Sequence, residues 1–194
     1  GAARTINDEK KCDIESFAYF HFNNNNNKIE NKKDVSWNWS LNPSDSEDIE
    51  ELDAFYSHNC GGLMLKALNI EHNKINLNGL SDEYRKAGLK RERYFFSLKH
   101  DNILVAVLMV DVSNKGLNLS DLTNGTKVII LDSNNLPIHV LKTSLYLISA
   151  RLNVENFPVL VYPVNYMINN SVPFEKVYNL WMLDTQFGDT YFRY

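Results

Sequence analysis

The sequence predicts an α+β protein (a mixed α/β architecture) built on a mainly antiparallel central sheet. One βαβ crossover and helices on both faces complete the expectation. Three observations carry it. Val35, Trp37, Trp39 and Leu41 alternate with polar residues, the period of a half-buried strand. Ile103 to Val112 is apolar without alternation, as in a strand covered on both faces. Leu141, Leu145, Ile148 and Leu152 recur at helical spacing between two β-rich segments, Lys127 to Leu131 and Val159 to Tyr162. Strand, helix and adjacent strand in that order make a crossover. The length of 194 residues suits one domain, residues 35–194, preceded by a polar, partly disordered N-terminal arm or linker, residues 1–34.

In the arm, the run Asn23 to Asn27 with Lys28, Lys32 and Lys33 cannot bury apolar surface and reads as linker. Inside the arm lies an apolar island from Phe17 to Phe22. It either forms a strand docked on the sheet edge or stays a partly ordered arm. After the strand at 35–41, Asn42-Pro43-Ser44-Asp45 forces a stop, and Ser44 or Asp45 caps a helix with Glu47 and Asp48 in its first turn. Ile49, Leu52, Phe55 and Tyr56 give that helix an apolar stripe, and Gly61-Gly62 ends it. Leu63 to Leu68 begins a second short helix, and Ser81-Asp82-Glu83 caps a third piece reaching Ala87.

The middle of the chain is β. Arg93 to Lys99, the turn His100-Asp101-Asn102 and Ile103 to Val112 make an antiparallel hairpin, with Tyr94, Phe96 and Leu98 on one face. Lys115 to Gly125 is a long loop. Its stretch Asn118 to Asn124 alternates leucines with polar residues, as a pocket lining or a bulged connector does. Lys127 to Leu131 is a strand, and residues 136–152 are a helix with Pro137 in the first turn. Val159 to Tyr162 is a buried strand ended by Pro163, and 164–171 holds one or two helical turns. Val177, Leu180, Trp181 and Leu183 mark a further strand, and Tyr191 to Tyr194 a last one. Trp37, Trp39 and Trp181, lying in strands, are expected in the core.

Composition excludes several classes. Twenty Lys and Arg against twenty-four Asp and Glu leave a net charge of −4, which argues against bulk nucleic-acid binding or a basic membrane surface. The longest apolar run falls far below the roughly 20 residues that span a bilayer, so no membrane association is expected. Cys12 and Cys60 form no C-x-x-C pair. They read as free thiols in a reducing compartment, which with no visible signal peptide implies a cytoplasmic location. The chain opens on Gly1 instead of Met, so the natural protein is expected to extend upstream. No metal site is expected, because His58 and Cys60 project from different faces of a helix and the other histidines are scattered.

The order of elements over 35–194 resembles that of the GNAT superfamily, the Gcn5-related N-acetyltransferases. The resemblance implies that the strands 127–131 and 159–162 splay apart around the helix 136–152. Acyl-CoA would lie in that gap, its pyrophosphate held by backbone amides at the helix start. The family motif there is Arg/Gln-x-x-Gly-x-Gly/Ala. This chain reads Asp132-Ser133-Asn134-Asn135-Leu136-Pro137-Ile138-His139, with no glycine, one donor removed by Pro137 and a negative charge added by Asp132.

The resemblance therefore implies a divergent or degenerate member, a binding or regulatory module with weak or lost acyl-CoA binding. Such a module would work with a protein partner or an upstream domain. The alternative is an acyl-CoA-dependent N-acyltransferase acting on an amine. By position, acetyl-CoA or another acyl-CoA would meet Asn134, Asn135, Ile138 and His139. The family often uses a tyrosine to protonate the leaving thiolate. Of Tyr162, Tyr166 and Tyr178, Tyr166 is the candidate, since the turn after Pro163 places it toward the cleft. The family's base is usually a carboxylate on the central strands, which points to Asp111, more readily read as a strand-end cap, or to Asp121.

Overall fold

In the computed structural model, which describes residues 12–24, 38–60, 84–114 and 124–183, the fold is organised around its central hairpin. Asp101 and Asn102 take left-handed backbone conformations with φ of 49° and 66°, which short polar residues tolerate and which match the twist of a tight two-residue turn. In chain order the elements are β1 (Cys12–Asn23), β2 (Trp39–Pro43), α1 (Ser46–Cys60), β3 (Arg91–His100), β4 (Ile103–Ser113), β5 (Thr126–Ile130), α2 (Ile138–Leu152), β6 (Asn156–Tyr162), α3 (Val164–Asn169) and β7 (Lys176–Leu183). The seven strands form one sheet in the order β2-β3-β4-β5-β6-β1-β7. Neighbours are antiparallel except β5 and β6, which run parallel across the α2 crossover. The α+β class and the single crossover expected from the sequence are both present.

Helices cover both faces. On one, Ile49, Leu52 and Tyr56 of α1 pack on Leu104, Val107, Met109, Ile129 and Leu160. On the other, Val140, Leu141, Leu145 and Ile148 of α2 join Tyr166 and Met167 of α3 over Ala106, Leu108, Val128, Val159 and Val161. The unalternating β4 is thus buried on both sides, as its composition predicts. α1 begins with reciprocal capping: Asp45 Oδ1 accepts the Asp48 N–H at 2.9 Å, and Asp48 Oδ2 accepts the Asp45 N–H at 3.2 Å. Trp39 stacks on His100 with ring centroids 4.6 Å apart and leans on the α2-side core.

Two placements differ from expectation. The island Phe17–Phe22 is not docked at the sheet edge: β1 has β6 on one side and β7 on the other. Residues on both sides of position 34 therefore contribute strands to one sheet. The cause is that the island is apolar in both parities, with Ala18 and Phe22 buried in the α2-side core and Phe17 and Tyr19 in the α1-side core. The second difference is a bulge in the hairpin. Leu98 pairs with Ala106 but Lys99 with Leu104, so Val105 is the extra residue and the register beyond it shifts by one. The expected elements at 35–37, 63–68, 81–83 and 191–194, the loop 115–123 with Asp121, and the two thiols lie outside what is described. Residues 84–86 form a helical turn.

Candidate functional site

The site expected from the resemblance begins where β5 ends. Leu131 to Leu136 turns the chain into α2, and the turn is organised by one carboxylate. Asp132 Oδ1 accepts the backbone N–H groups of Asn134 at 3.2 Å and Asn135 at 3.3 Å, while Oδ2 accepts the Asn135 side-chain amide at 2.7 Å. This is how an aspartate satisfies amides two and three residues ahead of it. Pro137 stands at the helix start, its carbonyl accepting from Val140 and Leu141, and no side chain caps α2. Asn134, Asn135 and His139 are exposed, whereas Ile138 is half-buried against the α2-side core.

Tyr166 does not face a cleft. It is 1% exposed, and its hydroxyl donates to the Leu136 carbonyl at 3.0 Å. Burial pushes its pKa well above the ordinary tyrosine value. It follows Pro163 into α3, whose inward side carries Tyr166 and Met167 into the core. The residue therefore ties α3 to the segment before α2, and its proton is committed to that tie.

Between α1 and the sheet, beside the same turn, runs a broad groove of about 560 Å³. Glu51, Phe55 and His58 of α1 form one wall, and Ile103, Leu131 and Asp132 the other. His58 Nδ1 donates to the Ala54 carbonyl at 3.0 Å. An aromatic cluster adjoins this groove at Phe55: Tyr162 lies 5.7 Å from Phe17, 6.4 Å from Phe55 and 6.0 Å from Tyr56 between ring centroids. Sequence reading named Tyr162 without its ring partners, which come from two other elements, β1 and α1.

Asp111 lies elsewhere. It is 2% exposed and bound by Arg93, with Nε at 2.5 Å and Nη2 at 3.3 Å, and by Lys127 Nζ at 3.2 Å. Burial pushes the Lys127 ammonium down, against the opposing pull of Asp111. The Asp111 N–H donates to the Gly125 carbonyl, which fixes the cluster beside the start of β5, whereas Asp132 and Tyr166 lie beyond its end. The candidate base and the candidate acid are thus held at opposite ends of one strand. A carboxylate clamped by two cations serves as a structural anchor of the β3–β4–β5 corner.

The gap expected between β5 and β6 is also absent over their paired residues. Their parallel register runs from Thr126↔Val159 to Ile129↔Tyr162, the last residue of β6. Among the described residues no group of three or more His, Cys, Asp or Glu is placed to hold a metal ion, and no helix is long and apolar enough to cross a membrane.

No family model matches the chain, and no curated protein matches it. Among solved structures, it is similar to a functionally unknown conserved protein from Staphylococcus epidermidis, at 9% identity and a TM-score of 0.44, over 89% of this chain and 63% of that one. The chain thus spans less than two thirds of that protein's length.

Proposed function

We propose that the chain is a divergent GNAT-like module that binds or regulates, with acyl-CoA binding weak or lost. The observation that carries this reading is the Asp132 carboxylate on the Asn134 and Asn135 amides. A helix start holds a pyrophosphate through free backbone N–H groups and the positive end of the helix dipole. Here an incoming phosphate must displace a carboxylate from two amides and then lie beside its charge. Pro137 withholds a further donor. The acid and base that a transferase needs are not assembled at this turn: Tyr166 is committed to Leu136, and Asp111 lies at the other end of β5.

One observation favours the second reading, transfer of an acyl group to an amine. The groove beside the turn carries Glu51 and Asp132, whose negative charge suits a cationic acceptor. Calorimetric titration with acetyl-CoA and with free CoA separates the two readings. The expected result is a Kd above about 100 µM, weaker than roughly −5.5 kcal/mol, and a tighter constant in Asp132→Asn. A micromolar Kd for the unaltered chain overturns the proposal and restores the N-acyltransferase.

A further inference from the structure

The groove between α1 and the sheet has an apolar lining that the fold covers only in part. Ile103, the first residue of β4, is 67% exposed, more than any other large hydrophobic side chain among the described residues. In the groove it lies with Phe55 of α1 and Leu131, both half-buried. A single exposed isoleucine is ordinary. Three apolar side chains that share one groove, from α1, β4 and the turn before α2, form a surface of the kind that partners cover.

The polar side chains lining the groove are Glu51, His58 and Asp132, and all three are placed to accept hydrogen bonds. Glu51 is exposed and makes no ion pair or hydrogen bond among the described residues. Asp132 accepts from Asn134 and Asn135, both neutral, so its negative charge has no cation beside it among the described residues. His58 donates its Nδ1–H to the Ala54 carbonyl at 3.0 Å, and the neutral ring then offers Nε2 as an acceptor. The wider field has the same sign. α1 carries Glu47, Asp48, Glu50, Glu51 and Asp53 and no lysine or arginine. Lys99 answers Asp48 at 2.7 Å and does not line the groove.

We propose that this groove docks a segment of a partner protein in which an apolar side chain is flanked by arginine or lysine. The apolar side chain covers Ile103, Phe55 and Leu131. Glu51 and Asp132 stand on opposite walls, which calls for a positive charge on each side of it. Guanidinium and ammonium groups are donors only, matching a groove whose polar side chains accept. A small amine meets the carboxylates but leaves Ile103 in water, so the occupant carries both features. The groove's volume of about 560 Å³ is that of an ordinary recognition site, roughly 300–1,000 Å³. The inference rests on reading the chain as a binding module and names the class of its partner.

The test titrates acetyl-Arg-Leu-Arg-amide into the full chain at low salt and follows amide chemical shifts. Acetyl-Glu-Leu-Glu-amide, acetyl-Arg-Ser-Arg-amide and the free diamine cadaverine are the comparison compounds. The expected result is saturable binding of the first peptide, at least about fivefold tighter than any comparison compound. Its shift changes should centre on Glu51, Phe55, Ile103 and Leu131. Glu51→Gln and Asp132→Asn should each weaken it about threefold, as loss of an exposed ion pair does. Ile103→Ser should weaken it about tenfold. Glu155→Gln removes the same charge from an exposed position just before β6 and should leave the affinity unchanged. Absence of binding overturns the proposal. So does equal affinity for a comparison compound, full affinity in a folded Ile103→Ser, or a loss in Glu155→Gln as large as in Glu51→Gln. Asp132→Asn should weaken the peptide while tightening acetyl-CoA. A micromolar acetyl-CoA Kd therefore overturns the module reading alone, and missing peptide binding overturns the docking site alone.

Discussion

Replacing Tyr166 by Phe removes one oxygen from the core and leaves the ring in place. That oxygen donates to the Leu136 carbonyl at 3.0 Å, and the two residues are 1% and 3% exposed, so water cannot take over the bond. Loss of the bond costs about 1 kcal/mol, and the stranded carbonyl raises the total to about 1–3 kcal/mol. A domain of this size moves by roughly 2–4 °C per kcal/mol, so calorimetric melting at pH 7 should fall by about 2–12 °C in Tyr166→Phe. Amide exchange at Asn134, Asn135 and the first turn of α2 should quicken, because the bond holds α3 to the segment preceding that helix. The pH dependence has a definite sign. Burial raises the folded pKa of Tyr166 above its ordinary 10.0, so its contribution is complete below pH 10 and is lost as pH rises through the folded value. The gap between the two proteins should therefore narrow in alkali. A Tm within about 1 °C of the unaltered chain, with exchange unchanged, refutes the bond.

Leu145, 1% exposed on α2, is the position where a charge is least tolerable: Leu145→Asp should cost several kcal/mol and abolish the cooperative melt by circular dichroism. Arg93→Met leaves the buried Asp111 carboxylate with Lys127 as its remaining described cation, and should destabilise the protein by about 3 kcal/mol in urea titration; an unchanged midpoint contradicts the anchor role. Burial pushes the Asp48 carboxyl up, but the hydrogen bonds from Lys99, Ser97 and Asp45 outweigh it, so its folded pKa lies below the ordinary 3.8. Its contribution is thus present above pH 3.8 and lost as pH falls through the folded value. Asp48→Asn should be less stable than the unaltered chain at pH 7 and converge with it in acid melts.

Local periodicity made much of the sheet and two of its helices legible. Ile103 to Val112, the stripe on α2 and the Asp101-Asn102 turn each follow from near neighbours in sequence. Long-range pairing does not. The island Phe17–Phe22 has the same two-faced apolarity as β4, and that was the available sign of an interior strand, but nothing local names β6 and β7 as its partners. The Arg93–Asp111 pair was hidden by a single residue. Counting back from the turn, with His100 opposite Ile103, puts Arg93 opposite Val110. The bulge at Val105 moves it opposite Asp111 and turns a stray strand-end carboxylate into a buried anchor.

The loss of glycine at the start of α2 was legible in the letters, but what replaced it was not. Asp132-Ser133-Asn134-Asn135 reads as an added charge near a phosphate position until the turn is built. The charge then proves to be hydrogen-bonded to the amides a phosphate would use. A ligand gains most where the protein leaves a hydrogen bond unmade, and least where the protein has made it already. At the Asp132 end of β5, the chain's own carboxylate competes with any anion. If Asp132→Asn tightens acetyl-CoA binding while the protein stays folded, the affinity of this helix start for an anion is set by how the chain satisfies its own amides.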